Sequence, residues 1–148
     1  MLTRKPHWRT RDFHTFLASR LHAPYKWGEN DCAMFAADGV LAQTGVDIAS
    51  DFRGRYTTQA GAYRVIKSVC GGSSVADAAA YCAQKHDMTE LVHPLMAQRG
   101  DLVIVENAGN LIAGLVHLNG RDVAAVGDAG LITIPITAVK RAWRVTNE

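Results

Sequence analysis

Beyond residue 100 the sequence breaks into short β-branched runs, at 101–106, 111–118, 123–126 and 131–134, with a last one at 142–146 carrying Trp143. Between the first four lie Asn107-Ala108-Gly109-Asn110, Asn119-Gly120 and Gly127-Asp128. Asn and Gly reach positive φ at little cost, so these are hairpin turns, Asn119-Gly120 the strongest of them. Connections this short join only antiparallel neighbours. The second half is therefore an antiparallel meander, which rules out an alternating βαβ architecture.

The first half has helical spacing instead. Thr10 is placed to cap a helix with Phe13, Phe16, Leu17 and Leu21 on one stripe, ended by Pro24. Asn30 caps a second, with Ala33, Ala36, Ala37, Val40 and Leu41 on one face and Gly45 past its end. Small side chains on that face suit close packing against a sheet. Thr58 begins a third helix (Ala62, Val65, Ile66, Val69) stopped by Gly71-Gly72, and Ser73 or Ser74 caps a fourth running towards His86. Helices first and a meander afterwards predict an α+β fold. With 148 residues and no linker or repeat, the chain makes one domain.

Composition narrows the function classes. Sixteen Lys and Arg against fourteen Asp and Glu leave a net charge of +2, too balanced for a dedicated nucleic-acid or membrane-surface binder. No apolar stretch approaches the ~20 residues of a membrane span, and the start lacks the apolar core of a signal peptide. No phosphate loop, dinucleotide fingerprint or metal-ligand cluster is present, so neither cofactor nor metal is expected. Arg53 and Arg55 near Asp51 read as ion-pair braces of a loop, with anion binding as the alternative. Arg4, Lys5, Arg9 and Arg11 with Trp8 form a basic start that is either a solvated flank or a docking arm.

Three cysteines, Cys32, Cys70 and Cys82, cannot all pair within the chain. Cys70 and Cys82 lie in helical, alanine-rich segments and read as buried structural thiols. Cys32 sits just inside a helix N-terminus, where free N–H groups and the helix dipole favour the nucleophilic thiolate, while Asp31 opposes it.

The run Tyr25-Lys26-Trp27-Gly28-Glu29-Asn30-Asp31-Cys32 and the small-residue helix after it resemble the active-site segment of NlpC-like papain-fold cell-wall peptidases. Arg99-Gly100-Asp101-Leu102-Val103 is similar to that family's first sheet strand, and Ile112-Ala113-Gly114-Leu115-Val116 to the strand that opens with its catalytic His. The likeness covers residues 23–118, leaving 1–22 as a helical extension and 119–148 as C-terminal strands. It is strongest to a branch found with phage and prophage tail genes, which shares the Trp-Gly-x-x-Asp-Cys segment, the Arg-Gly-x-Tyr element and a late Ala-Trp-Arg strand, here Ala142-Trp143-Arg144. The resemblance implies a papain-like domain with Cys32 as nucleophile and Tyr25 and Trp27 beside it.

It also exposes a departure. Ile112 stands where the family has its His, and Ala124 and Ala125 where its third polar residue falls. A thiol attacking an amide needs a base that takes its proton and later protonates the leaving amine. His117 and His93 are the candidate substitutes. His117 lies five residues beyond Ile112, on the opposite strand face unless a bulge intervenes, and His93 precedes Pro94 in a loop. His22 and His86 read as surface residues. The expectation is a tail-tip or baseplate virion protein with a degenerate site, Ile112 facing Cys32 where the base should be. Its partners would be other tail proteins, and the particle would carry it out of the cytoplasm in which it is made. The alternative is an active peptidoglycan endopeptidase or amidase, and a third reading is a cytoplasmic thiol hydrolase or acyltransferase.

Overall fold

The computed structural model describes residues 2–146. It has helices in the first half and an antiparallel sheet in the second. A π-helical turn, Trp8–Asp12, runs into α1 (Phe13–Ser19), followed by α2 (Cys32–Thr44), α3 (Gln59–Cys70) and α4 (Val75–Lys85). The strands are β1 (Thr89–Glu90), β2 (Leu102–Asn107), β3 (Asn110–Val116), β4 (Asp122–Gly127), β5 (Gly130–Pro135) and β6 (Val139–Arg144). They line up as β1-β6-β2-β3-β4-β5, so β2 to β5 form the expected meander and β6 folds back against β2.

The caps of α3 and α4 follow from their sequences. The Thr58 side chain accepts from the Gly61 N–H, and Ser74 and Asp77 form a reciprocal capping box. Gly71 ends α3 at φ +73°, a left-handed conformation that only glycine adopts freely. Two other caps differ from expectation. Thr10 lies inside the π-helical turn, and α1 stops at Ser19, well before Pro24, leaving Leu21 half exposed. Asp31 rather than Asn30 caps α2, its Oδ1 accepting from the Met34 N–H at 2.8 Å. Asn30 instead holds the preceding loop, donating to the Ala23 and Pro24 carbonyls and accepting from Arg20.

Helix α2 is buried nearly all round and lies on β3. A Cβ on Gly39 would come within 2.0 Å of the Leu115 side chain, so the helix approaches the sheet as closely as its small residues permit. Along β3, Ala113 and Leu115 join the main core beneath the helices, while Val116 and Ile112 join a second cluster on the far face. Leu91, Ala97, Ile136 and Ala138, from connecting segments, close that far face. The β2–β3 ladder is in register from Leu102↔Leu115 to Asn107↔Asn110. The β3–β4 ladder spans Leu115↔Ala124 and Val116↔Val123, so the first half of β3 is unpaired on that side. This opening lies next to the start of α2.

Charged groups tie the layers together. Asp101, fully buried, accepts from the Gln98 and Val145 N–H groups and from Arg4 and Arg144. Arg4 also bonds Gln43 of α2 and stacks over Trp8, so this part of the basic start is built into the fold and is not a docking arm. Arg53 does brace its loop, but through Asp47 and Asp38, while Asp51 takes Tyr81 and Lys85. Arg55 reaches the Asp51 carbonyl.

Candidate functional site around Cys32

The loop before α2 is shaped by two short-range demands. Gly28 has φ +86°, and a Cβ there would lie 2.2 Å from the Tyr56 carbonyl oxygen. Only glycine satisfies both the left-handed backbone and the close approach. The turn lets the Gly28 N–H donate to Asp31 Oδ2 at 2.8 Å, and the Tyr56 hydroxyl donates to the same oxygen at 2.6 Å. Asp31 is thus a buried bracket joining the loop, the start of α2 and the segment before α3. With Oδ1 on Met34 and Oδ2 on two donors, both oxygens are occupied.

Cys32 follows immediately, in the first turn of α2. The Cys32 N–H meets the hydroxyl of Tyr25, and the thiol lies against the backbone N–H of Ala113 in the unpaired part of β3. Tyr25 and Trp27 stack edge to face with centroids 5.1 Å apart. The structure therefore brings together three of the residues expected from the sequence: Cys32, Tyr25 and Trp27 line one cleft.

Electrostatics within the cleft favours the neutral thiol. Burial pushes Cys32 up from an ordinary 9.0 to about 11, and the Asp31 carboxylate adds to the rise. The N–H groups of Ala113, Ala33 and Cys32 itself pull the other way and do not prevail. Burial also raises Tyr25 and Tyr56, both beside Asp31, so their phenols stay protonated at neutral pH.

The candidate bases lie elsewhere. None of the six histidines, all within the described residues, lines the cleft. His117 follows the end of β3, roughly 13 Å from Ala113 at ~3.3 Å per strand residue. Its Nδ1 accepts from the Asn119 N–H, and burial lowers its pKa. His93 caps the short 3-10 turn Pro94–Met96, accepting from the Leu95 N–H on the exposed surface. His22 is exposed, whereas His86 is partly buried at the end of α4, so only the former is a plain surface residue.

The register also corrects the expectation that Ile112 faces Cys32. Its side chain packs with the far-face core, so Ile112 borders the cleft without pointing at the thiol, and Ala113 occupies the helix-facing position. Leu111, two residues back on the same face, is half exposed at the cleft. Ala124 and Ala125 are fully buried on opposite faces of β4, outside the cleft. The sequence reading missed Gln59, Tyr63, Ser73 and Ser74, which also line the cleft. The polar edge of α3 was the available signal: Gln59 and Tyr63 are four apart and share one helix face.

The family described as a domain of unknown function, DUF6950, matches residues 3–145. The chain belongs to that family. The match takes in all six strands and all four helices, so the DUF6950 domain and the fold described above are one unit. No curated protein and no solved structure matches the chain.

Among the described residues there is no group of three or more His, Cys, Asp or Glu side chains able to hold a metal ion. No helix among them is long and apolar enough to cross a membrane. What the cleft offers chemically is two neutral thiols, Cys32 and Cys82, phenolic hydroxyls, a few amide and hydroxyl groups and apolar walls.

Proposed function

We propose that this DUF6950 chain is a papain-like, NlpC-type domain serving as a structural subunit of a phage tail tip or baseplate, with a thiol site that no longer hydrolyses peptide bonds. The observation that carries the second half is the composition of the cleft: Cys32 is there and no imidazole is. A thiol with a pKa near 11 is almost wholly protonated at neutral pH. No cleft residue holds its proton or returns one to a leaving amine. General acid–base help is worth ~10²–10⁴-fold, so its loss leaves hydrolysis negligible.

The fold half is supported by the order of elements, a buried small-residue helix starting at the cysteine and laid across an antiparallel sheet. The tail assignment is supported by the resemblance of the Trp27-Gly28 to Cys32 segment, the Arg53-Gly54-Arg55-Tyr56 element and the Ala142-Trp143-Arg144 strand to tail-associated chains. The structure gives each of these a physical job: Gly28 and Tyr56 meet at Asp31, and Arg144 reaches Asp101.

Incubation of the purified chain with peptidoglycan tests the catalytic half. No soluble fragments above the Cys32→Ala background are expected. Digestion lost in Cys32→Ala, and also in His117→Ala or His93→Ala, would establish an active endopeptidase instead. Mass spectrometry of purified particles from cells expressing the chain tests the location; its absence from every particle overturns the tail reading.

A further inference from the structure

We infer that the Cys32 cleft is a receptor for an uncharged, mainly apolar small molecule. This goes beyond the structural role proposed above and does not depend on it. The first observation is size. The cleft encloses about 510 Å³, within the roughly 300–1,000 Å³ of pockets that take drug-sized ligands. It runs from Cys32 and Tyr25 at the mouth inwards between α2, α3 and α4 as far as Cys82.

The second observation is what lines the inner part. Ala62 of α3 and Ala78 and Ala79 of α4 line it beside larger apolar side chains such as Ile48, Phe52 and Ile66, so short residues leave space open between large ones. Each keeps a residual 7–9% exposure, whereas the sheet residues Ile104, Leu115 and Ala124 have none. Protein interiors are close-packed, and space left unfilled costs stability in proportion to its volume. A chain that keeps this much open apolar space has room for a guest.

The third observation is charge. Among the described residues the lining has no Lys, Arg, His or Glu, and Asp31, its one acidic residue there, has both oxygens engaged by protein donors. A charged ligand would lose its hydration without gaining a partner. The neutral polar groups at the mouth, from Tyr25, Tyr63, Gln59 and Asn110, suit a hydroxyl, amide or ether head. The occupant is therefore a neutral molecule with a substantial aliphatic or aromatic body, and a charged peptidoglycan stem does not meet that description.

Nile red, uncharged and solvatochromic, is the direct probe. Added to the purified chain, it is expected to brighten and shift to the blue with saturable, one-to-one stoichiometry. Dodecanol should displace it at least about tenfold better than dodecanoate, the same chain with a carboxylate head. Ala62→Leu and Ala78→Leu, each adding bulk inside the cleft, should weaken the probe several-fold without lowering the melting temperature. Three results overturn the inference: no saturable brightening, dodecanoate competing as well as dodecanol, or lowered melting temperatures in both leucine variants, which would mean that the space is already packed. These measurements use the isolated chain and no peptidoglycan, so their failure leaves the tail reading where it stands.

Discussion

At Cys32 two opposing effects act on one thiol, and burial outweighs the helix terminus. The first turn of α2 supplies N–H groups that favour a thiolate, as the sequence suggests, but the protein around the sulfur and the Asp31 charge raise its pKa to about 11. The sign is testable. Because the folded-state pKa lies above the ordinary 9.0, the thiolate fraction at pH 7 is about a hundredfold below that of an unperturbed thiol, a factor of ten per pH unit. Site-resolved mass spectrometry after iodoacetamide treatment should show Cys32 alkylated about a hundredfold more slowly than a free thiol standard. Its rate should keep climbing as pH rises beyond 9. Fast labelling at pH 7 with a plateau near neutrality would mean an activating base that the structure does not place there.

At the scale of elements, caps and turns were the most legible features and strand faces the least. Thr58, Ser74 and Gly71 act where local chemistry puts them, because a cap needs only its own first or last turn. Asn30 and Asp31 are adjacent, both good caps, and the choice between them is tertiary: Tyr56 and Gly28 converge on Asp31, while Arg20 engages Asn30. Strand β1, two residues long, carries no periodicity to read and exists because β6 offers Thr89 and Glu90 an edge. Residues 111–116 are apolar on both faces, apart from Gly114, so alternation alone cannot say whether Ile112 or Ala113 looks towards α2. The same reasoning makes Gly28 the most sensitive position of the loop. Gly28→Ala adds a Cβ against the Tyr56 carbonyl at a positive φ, so it should cost about 2–4 kcal/mol in denaturant unfolding. A loss below ~0.5 kcal/mol, the range of ordinary surface changes, would show that the loop can relax away from Tyr56.

Over the whole molecule, the two ends of the chain are closed onto one buried carboxylate. Asp101, just before β2, gathers Arg4 from the first segment at 3.3 Å and Arg144 from the last strand at 3.1 Å. It also takes the Val145 N–H at 3.1 Å, and Arg4 passes the link on to Gln43 in the last turn of α2. Glycine 100 belongs to the same knot, since Gln43 donates to its carbonyl and a Cβ there, at φ +83°, would strike Gln43. The basic start of the sequence reads as a surface feature because its four cations say nothing about the partner, which lies 97 residues away in the chain. Removing the carboxylate takes the counter-charge from two guanidiniums, whose side chains are only 11% and 20% exposed, and leaves the Gln98 and Val145 N–H groups without their acceptor. Asp101→Ala should therefore destabilise the fold by about 3–5 kcal/mol, the usual cost of breaking a buried pair from one side. Arg4→Met, which removes one cation and keeps an apolar stem over Trp8, should cost clearly less. Hydrogen exchange on Asp101→Ala should show the first segment and β6 losing protection together, ahead of α3 and α4, because these two elements share the lost anchor. Uniform loss of protection across the chain would mean that Asp101 contributes to global stability without specifically holding the two ends.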